Sequence, residues 1–457
     1  MERRGSFRMT NPKKKIWNGN VRDAALSILM EINDNQAYSN LLLNRTIKKY
    51  AIDPKDRGLL TELTYGSLQH RMTLDYYLEP FVKGKLDAWV RELLRLSIYQ
   101  IIYLTKIPPH AVVHEAVEIA KRRGHKGIAA TVNGILRSVL RKGVRPLEDI
   151  KDDIERISIE TSHPTWLINR WIEQYGKEEA WAMAHENNHP ARMTARVNSL
   201  KSTVEDTLIA LSKEGIDATK GEVVSESIQA SSGSLANTEA YSNGLLTIQD
   251  ESSMLPVLAL DLKSDMKVLD MCAAPGGKTT FIAEKMNDKG EIYAHDLHEH
   301  KLALIESNAQ RLGISSIKTK SGDSRELESI YEPSSFDRIL VDAPCSGLGV
   351  IRRKPEIKYN KTEQDLDKLV GIQGQLLDTA YRLIKEDGII VYSTCTVDYE
   401  ENEGMVRKFL DKHPDIELVP LDALSNHAPL AIKDDMLQVL PQHFGSDGFF
   451  VAAFRKR

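Results

Sequence analysis

The sequence predicts a multidomain protein with an all-α domain, a small α+β domain and an α/β domain built on a doubly wound, mostly parallel sheet. Three observations predict it. The chain has 457 residues, which is too many for one ordinary core. Apolar residues recur at helical spacing through the first 142 residues. From residue 245 onward, strand-sized apolar runs alternate with helical stretches, which is typical of a parallel sheet covered by helices.

The first third of the chain is predicted to be helical and basic. Residues 1–15 are rich in Lys and Arg and poor in apolar side chains, so we expect a disordered tail there. Residues 16–147 form the all-α domain, in which Ala24, Ile28 and Ile32 share one helical stripe. The charged stretch 148–157 is predicted to be a linker.

Charge is unevenly distributed along the chain. The first 150 residues hold 26 Lys+Arg against 15 Asp+Glu, whereas the rest hold 35 against 50. A basic first third on an acidic body favours an anionic partner such as nucleic acid, although a solvated helical surface would show the same charge. Both interpretations stay open on charge alone.

The small α+β domain is predicted over residues 158–240. Helical patterns at 164–175, 177–186 and 203–213 are interleaved with alternating runs at 192–198 and 222–230. Such a domain either presents an RNA-facing sheet or serves as a packing wedge, and the sequence supports the two alternatives equally.

The α/β domain is predicted over residues 244–457. A long helix is expected from the cap at Thr362 to Asp387-Gly388. The end of the chain is expected to form a hairpin of residues 436–443 with residues 449–454. The predicted parallel strands are 267–269, 291–295, 316–320, 337–341 and 389–393.

A turn of small residues follows the first of these strands. It consists of Cys272, Ala273, Ala274, Pro275, Gly276, Gly277 and Lys278. Its glycines allow close approach of a ligand, and the helix that it opens offers unpaired N–H groups. A P-loop is excluded because Cys272 stands where that pattern needs glycine, and no G-x-G-x-x-G of a dinucleotide site is present.

Two acids follow the next two strands. Asp296 ends the second strand, where a carboxylate can hold both hydroxyls of a ribose, and Asp323 follows the third, placed to accept from an adenine amine. Each acid alone is more often a helix N-cap. Together with the turn, however, they favour an adenosyl ligand without phosphate, which is S-adenosylmethionine.

Two cysteines end the last two parallel strands. Cys345 lies in Asp342-Ala343-Pro344-Cys345-Ser346, and Cys395 lies in Ser393-Thr394-Cys395-Thr396. C5 of cytosine is a poor nucleophile until a thiolate adds to C6, and an acid near N3 must then stabilise the developing charge. Cys395, Cys345 and Asp342 match that requirement. Arg352, Arg353 and Lys354 follow closely and are predicted to hold phosphates, with a solvated loop as the alternative.

Several features set the expected environment. Three cysteines do not make a closed disulfide framework, and the N-terminus lacks the apolar stretch of a secretory signal. No apolar run approaches the length of a membrane span. We therefore expect a cytoplasmic monomer that binds no membrane and no metal.

The C-terminal motifs resemble those of the RNA cytosine-C5 methyltransferases of the Nol1/Nop2/Sun family. The resemblance also includes Arg196-Val197-Asn198, residues 247–251 and Asp447-Gly448-Phe449. It implies that Cys395 is the nucleophile and that Cys345 assists product release. It also implies that residues 272–278, Asp296, Asp323 and Asp342 contact S-adenosylmethionine, and that Asp342 faces the base.

The first 145 residues resemble the helical RNA-binding NusB domain, through residues 53–57 and 132–137. In this family, fusion of a NusB domain to the methyltransferase is characteristic of bacterial enzymes that modify small-subunit (16S) ribosomal RNA. The expected substrate is the free RNA or the RNA of an early assembly stage. The resemblance thus implies methylation of C5 of a specific cytosine in that RNA. The same chemistry on tRNA, or a non-catalytic RNA-binding factor in ribosome assembly, remain the alternatives.

Overall fold

The computed structural model describes residues 20–35, 38–421, 424 and 432–457. The predicted tail of residues 1–15 lies outside them. The chain divides into two compact units. One contains the residues up to Asn169 together with Lys354–Asn360, and the other contains Arg170–Arg353 and Lys361–Arg457.

The first unit is helical, as predicted. Its core is made mainly of aliphatic side chains from the first seven helices, among them the stripe of Ala24, Ile28 and Ile32. Asp53 caps the third helix, since its side chain accepts from the Lys55 N–H at 3.1 Å. The helices are α1 (Val21–Asn35), α2 (Ser39–Lys49), α3 (Pro54–Gln69), α4 (Arg71–Leu78), α5 (Ala88–Tyr103), α6 (Pro109–Arg123), α7 (Lys126–Lys142) and α8 (Asp153–Thr161).

The predicted linker at 148–157 is wrong in its second half. Helix α8 begins at Asp153, and the Asp152 side chain caps it by accepting from the Glu155 N–H at 2.7 Å. Thr73 of α4 donates to the Ile159 carbonyl at 2.6 Å, so α8 belongs to the helical bundle. Residues 158–161, predicted to open the next domain, complete this helix. The charged sequence concealed it because only Ile157 and a few small residues face the core.

The second unit begins with the rest of helix α9 and a small α+β region. Its four strands form an antiparallel sheet in the order β2-β3-β1-β4. The elements are α9 (Thr165–Tyr175), α10 (Lys177–Glu186), β1 (Met193–Val197), α11 (Val204–Lys213), β2 (Ala218–Lys220), β3 (Ser227–Ala230), α12 (Glu239–Ser242) and β4 (Leu246–Ile248).

Both faces of strand β1 are buried. On one face, Ala195 and Val197 pack with Leu211 of α11. On the other, the Arg196 side chain is fully buried and donates to both carboxylate oxygens of Glu284, at 2.9 and 2.8 Å, and to the Gly277 carbonyl at 2.8 Å. Of the two alternatives for this domain, the packing wedge is therefore the one that the sheet supports.

The large sheet has nine strands in the order β11-β12-β13-β9-β8-β5-β6-β7, with β10 paired to β13. Strands β5 to β9 are parallel, and the C-terminal strands add antiparallel to β9. The predicted doubly wound, mostly parallel sheet is confirmed. The strands are β5 (Lys267–Asp270), β6 (Glu291–Asp296), β7 (Ile317–Ser321), β8 (Phe336–Asp342), β9 (Ile384–Thr394), β10 (Ile416–Leu418), β11 (Ile432–Lys433), β12 (Met436–Val439) and β13 (Phe449–Lys456).

Helices cover this sheet, and the longest ends earlier than predicted. Helix α17 begins at the expected cap, where Thr362 forms a capping box with Asp365, but it stops at Leu383. Ile384, predicted to be helical, pairs with Phe336 and opens β9. The terminal hairpin is confirmed, with Val439 opposite Phe449. The helices are α13 (Leu255–Leu258), α14 (Gly277–Lys285), α15 (Glu299–Leu312), α16 (Ile357–Asn360), α17 (Glu363–Leu383) and α18 (Glu403–Lys412).

The segment Lys354–Asn360 lies between β8 and β9 in sequence yet packs in the helical unit. Lys358 is fully buried there, and its ammonium donates to the Gln69 carbonyl at 3.0 Å and to the Thr161 carbonyl at 3.3 Å. Glu356 accepts from the Ser39 N–H at 2.9 Å. These contacts are part of the interior of the helical unit. In the part of the chain that the structure describes, no helix is long and apolar enough to cross a membrane.

We predict that Arg196→Ala destabilises the second unit by about 3–5 kcal/mol, because it leaves the Glu284 carboxylate buried without its counter-ion. Urea denaturation followed by circular dichroism measures the change. Lys220→Ala is the matched control, since its ion pair with Glu205 is solvent-exposed and its loss should change stability little. Equal effects of the two substitutions would contradict the prediction.

Candidate active site

The parallel pairing of β8 with β9 brings the two predicted thiols together. Asp342 at the end of β8 lies opposite Ser393 near the end of β9. The chain continues from these strand ends to Cys345 and Cys395, whose sulfur atoms are 3.4 Å apart. Two cysteines separated by 50 residues in sequence thus share one site at the carboxyl edge of the sheet.

Glycines hold the loop after Cys345 against the segment of Cys395. The Gly349 N–H donates to the Cys395 carbonyl at 3.0 Å, and the Gly448 N–H donates to the Gly349 carbonyl at 2.8 Å. A Cβ atom on Gly349 would lie 2.0 Å from the Gly448 carbonyl oxygen, so this approach requires glycine. The Asp447-Gly448-Phe449 motif, noted in the sequence, is thereby part of the site's frame.

Glu401 connects the two thiol segments, and the sequence did not reveal it. Its fully buried carboxylate accepts from the Ser346 N–H at 2.9 Å, from the Ser346 hydroxyl and from the Gln373 amide at 2.9 Å. The Ser346 hydroxyl also lies 2.7 Å from the Thr396 hydroxyl. Burial raises the pKa of Glu401. In sequence the residue lies in an acidic run, 398–401, which is typical of a solvated loop.

Asn402 fixes the residues on either side of Cys395. The Thr394 hydroxyl donates to its side-chain oxygen at 2.6 Å, and its amide donates to the Thr396 carbonyl at 3.1 Å. Both threonines are fully buried. The backbone that presents Cys395 is therefore held from both sides before any substrate arrives.

Asp342 is bound to a lysine and a serine. The Lys278 ammonium donates to one carboxylate oxygen at 2.8 Å, and the Ser393 hydroxyl donates to the other at 2.8 Å. Burial acts against the charge of Lys278, but Asp342 outweighs it and raises the pKa of the ammonium. Lys278 also lies over the Phe449 ring, 5.0 Å from its centroid. The pair places a carboxylate and an ammonium beside the thiol site.

The two thiols form one hydrogen-bonded pair, in which either sulfur can be the donor. The hydrogen bond with Cys395, together with burial, raises the pKa of Cys345 well above its usual range. A thiol that donates to a neighbouring thiolate stabilises the negative charge on that sulfur.

The predicted ligand turn joins β5 to α14. Gly276 has a φ of +101°, and a Cβ atom there would lie 3.0 Å from the Ile305 Cα, so the turn accepts only glycine at this position. Within the turn the Gly276 N–H donates to the Ala273 carbonyl at 2.7 Å. Burial raises the pKa of Cys272 and keeps it a thiol that packs beside the sheet core. Gly277 begins α14, so unpaired N–H groups face the edge.

Asp270 lies just before this turn and was not among the predicted site residues. Burial raises its pKa to about 7, although the Thr279 hydroxyl donates to it at 2.7 Å. Its position as the last residue of β5 puts a carboxyl under the turn. An acid at the end of a predicted strand was the signal available in the sequence.

The other two predicted acids follow neighbouring strands. Asp296 ends β6, is largely buried, and accepts from the His298 N–H at 3.0 Å. Asp323 follows β7, where it accepts from the backbone N–H of Arg325 at 3.0 Å and pairs with the Arg325 guanidinium. Asp323 is thus also a helix cap, the alternative weighed in the sequence. Both carboxylates lie at the edge that holds the glycine turn, an arrangement that fits a ribose and a base.

The prediction that Arg352, Arg353 and Lys354 hold phosphates is wrong for the two arginines. For Lys354, whose ammonium lies over the Tyr38 ring at 4.8 Å, it stays a prediction. Arg352 is buried, donates to Glu186 at 2.9 Å and to the Gly445 carbonyl at 2.9 Å, and is held as a structural cation. Arg353 pairs with Asp447 at 2.6 Å and with Asp250 at 2.8 Å. Their sequence neighbours gave no sign of these distant acids. Among the described residues, no group of three or more His, Cys, Asp or Glu side chains could hold a metal ion.

Comparison with known families divides the chain into three regions. Residues 19–141 match the NusB family, residues 163–234 match the ferredoxin-like domain of RsmF/B-like methyltransferases, and residues 257–455 match 16S rRNA methyltransferase RsmB/F. The "Probable ribosomal RNA small subunit methyltransferase B" of Bacillus subtilis (strain 168) is 48% identical over 443 residues, which cover 96% of this chain and 99% of that protein. The chain belongs to the RsmB/F family of 16S rRNA methyltransferases.

Other RsmB/F relatives and solved structures agree. The protein of the same name from Synechocystis sp. (strain ATCC 27184 / PCC 6803 / Kazusa) is 33% identical over 95% of this chain and 99% of its own length. The crystal structure of PH0851 has a TM-score of 0.82 at 26% identity, covering 97% of this chain and all of that one. A methyltransferase homologue from Pyrococcus horikoshii has a TM-score of 0.60 at 31% identity, covering 67% of this chain and all of that one.

The 3.4 Å separation of the two sulfur atoms predicts that diamide closes a Cys345–Cys395 disulfide. Each thiol gives up its proton and one electron to diamide as the S–S bond forms. Two of the three thiols of the chain should then disappear in a titration under denaturing conditions, and mass spectrometry should find the linked peptides. Cys345→Ser is the control and should retain both remaining thiols. Disulfides between separate molecules alone would contradict the prediction.

Proposed function

We propose that this protein transfers a methyl group from S-adenosylmethionine to C5 of a specific cytosine in small-subunit (16S) ribosomal RNA. One observation carries the proposal: Cys395 and Cys345 lie in contact at the sheet edge, next to the Asp342–Lys278 pair and the glycine turn. Methylation of an amine or a hydroxyl group needs no thiol. Methylation of C5 of a pyrimidine needs a thiol that adds to the ring and activates the carbon.

In the first step the Cys395 thiol gives its proton to solvent and its sulfur bonds to C6 of cytosine. The C5–C6 π electrons form the C4–C5 double bond, and the C4–N3 π electrons become a lone pair on N3, which takes up a proton. We assign the nucleophile to Cys395, because its Thr394-Cys395-Thr396 motif resembles the one that carries the nucleophile in the Nol1/Nop2/Sun family. We assign Asp342 to the Watson–Crick edge of the base, with Lys278 beside it to balance the charge that develops there.

In the second step, C5 is methylated and the adduct is resolved. S-adenosylmethionine supplies an electrophilic methyl group to C5. A base then removes the C5 proton, the electrons of that bond re-form the C5–C6 double bond, and the Cys395 sulfur leaves. We assign Cys345 to this release, because its sulfur is already in contact with the sulfur that must depart.

We assign the adenosyl ligand to residues 272–278, Asp296, Asp323 and Asp342. Gly276 has a positive φ and packs against Ile305, which keeps the turn tight at the start of α14, where unpaired N–H groups can meet a ligand. Asp296 suits the ribose hydroxyls, and Asp323 suits the adenine amine once the Arg325 guanidinium gives way. Asp270, below the turn, is a further acid on this side of the sheet.

Two features support small-subunit RNA as the substrate. The curated relatives are described as small-subunit ribosomal RNA methyltransferases over their whole length, and the first domain matches the NusB family. The first 150 residues also carry an excess of positive charge, which suits a polyanion.

We predict that Cys395→Ala lowers methyl transfer by a factor on the order of a thousand or more, because C5 is no longer activated. Cys345→Ala should instead form an RNA adduct that survives denaturing electrophoresis, because release is impaired. The double variant should form none. Transfer of tritium from labelled S-adenosylmethionine to naked 16S rRNA measures activity. An adduct that persists in Cys395→Ala would reverse the two roles.

The RNA target is tested separately. Bisulfite sequencing of total RNA from strains with and without the gene should show one 5-methylcytosine in 16S rRNA that depends on it. Loss of a tRNA mark instead would move the same chemistry to tRNA. A protein that binds rRNA but transfers no tritium would be an assembly factor, and the proposed reaction would be wrong.

A further inference from the structure

Helix α10 and the turn that follows it present an exposed row of aromatic rings in the second unit. Trp181, His185 and His189 follow one another at four-residue spacing and are all exposed, Trp181 by 43%. The rings of Trp181 and His185 stack with centroids 5.2 Å apart at 23°, and those of His185 and His189 lie 5.0 Å apart at 62°. Lys177, one helical turn before Trp181, is also exposed. We call Lys177, Trp181, His185 and His189 the α10 ring row.

The row is unlike an ordinary helix surface. An exposed tryptophan at the end of a stack offers the face that points away from His185, and among the ring contacts of the described residues His185 is the partner found for it. Exposed indole faces lose water readily and are favourable stacking partners for nucleobases. Glu178 and Glu179 lie in the same turn, so stacking, rather than charge, has to supply most of the affinity.

The row is joined to the thiol site by a short series of contacts. Glu186 accepts from Arg352 at 2.9 Å and lies 3.2 Å from the His189 ring nitrogen. Arg352 belongs to the segment that follows Cys345, in which the Gly349 N–H donates to the Cys395 carbonyl at 3.0 Å. Glu186 therefore fixes α10 to the segment that follows Cys345.

Strand β1, an inner strand of the sheet of the same domain, is buried on both faces over residues 194–197, so exposed contacts for RNA have to lie elsewhere in the domain. We propose that the α10 ring row is a stacking platform for unpaired bases of the RNA strand that carries the target cytosine. The inference rests on the proposed function, since it concerns how that substrate is held.

A platform of this kind recognises bases by their π faces and is tolerant of sequence. It would hold nucleotides next to the target in single-stranded form, which leaves the target cytosine unstacked and able to enter the thiol site. Its occupant is thus a single-stranded segment of RNA, with Lys177 near the backbone phosphates.

The test uses the full-length protein and a fluorescein-labelled 12-nucleotide oligouridylate, which is unstructured and lacks the target base. Trp181→Ala should raise the dissociation constant by about 5- to 150-fold, the range expected for the loss of one base–aromatic stack. Trp181→Phe, which keeps a ring, should restore most of the affinity. Ile209→Ala is the matched control, because Ile209 is 55% exposed on α11 and has no ring.

A second measurement does not depend on the folding of any variant. Ultraviolet cross-linking of the wild-type protein to a 5-bromouridine oligonucleotide should label a peptide within residues 177–189. Cross-links confined to other regions, equal affinities of Trp181→Ala and wild type, or no binding of oligouridylate by the wild type would each overturn the proposal. The last two outcomes are also the ones expected if the ring row binds a protein partner instead of RNA.

The result that would contradict the proposed methyl transfer differs from the results that would contradict the ring row. A wild-type protein that transfers no tritium to any RNA contradicts the methyltransferase assignment, whatever the ring row binds. A wild-type protein that methylates 16S rRNA, with a Trp181→Ala variant whose KM for that RNA equals that of wild type, contradicts the ring row alone.

Discussion

The site depends on the parallel register of β8 and β9. Because Asp342 lies opposite Ser393, the two strands end at the same height, and the residues that follow must meet. A shift of the register by one residue would turn every side chain of one strand to the other face and separate the two sulfur atoms. The buried apolar residues of both strands, such as Leu340 and Val391, oppose such a shift.

Buried polar groups then give the site a single arrangement. Glu401 joins the segment of Cys345 to the segment of Cys395, and Arg353 joins the loop after Cys345 to Asp250 and Asp447. Burial of charges is costly unless each is paired, so such networks favour one geometry over others close to it. Here the two acids around Arg353 outweigh its burial and raise the pKa of its guanidinium, whereas burial raises the pKa of Asp447 to about 6.

A buried, paired charge also connects the small α+β region to the ligand turn. Arg196 of β1 donates to Glu284 and to the Gly277 carbonyl at the start of α14. The small domain therefore supports the turn from behind, and its sheet is occupied by that contact. Any interaction of this region with substrate falls to its outward helices.

Much of the architecture could be predicted because it is periodic. The parallel strands were placed within a few residues, and the thiols and acids at their ends followed from the topology. What the sequence did not show depends on distant partners. Arg352 and Arg353 look solvated until Glu186, Asp250 and Asp447 are brought beside them, and Glu401 lies in a run of acids. The end of α17 was misplaced because Ile384 suits a helix stripe and a strand equally.

The placement of Lys354–Asn360 limits how the chain can be divided. A heptapeptide that belongs by sequence to the catalytic region fills part of the interior of the helical unit, where Lys358 donates to two backbone carbonyls. Cutting the chain once, after the helical bundle, would therefore remove Lys354–Asn360 from the interior of the helical unit. The same segment, with Lys358, would remain attached to the other fragment without its partners Gln69 and Thr161. A fragment that ends after the helical bundle therefore lacks part of the interior of the helical unit.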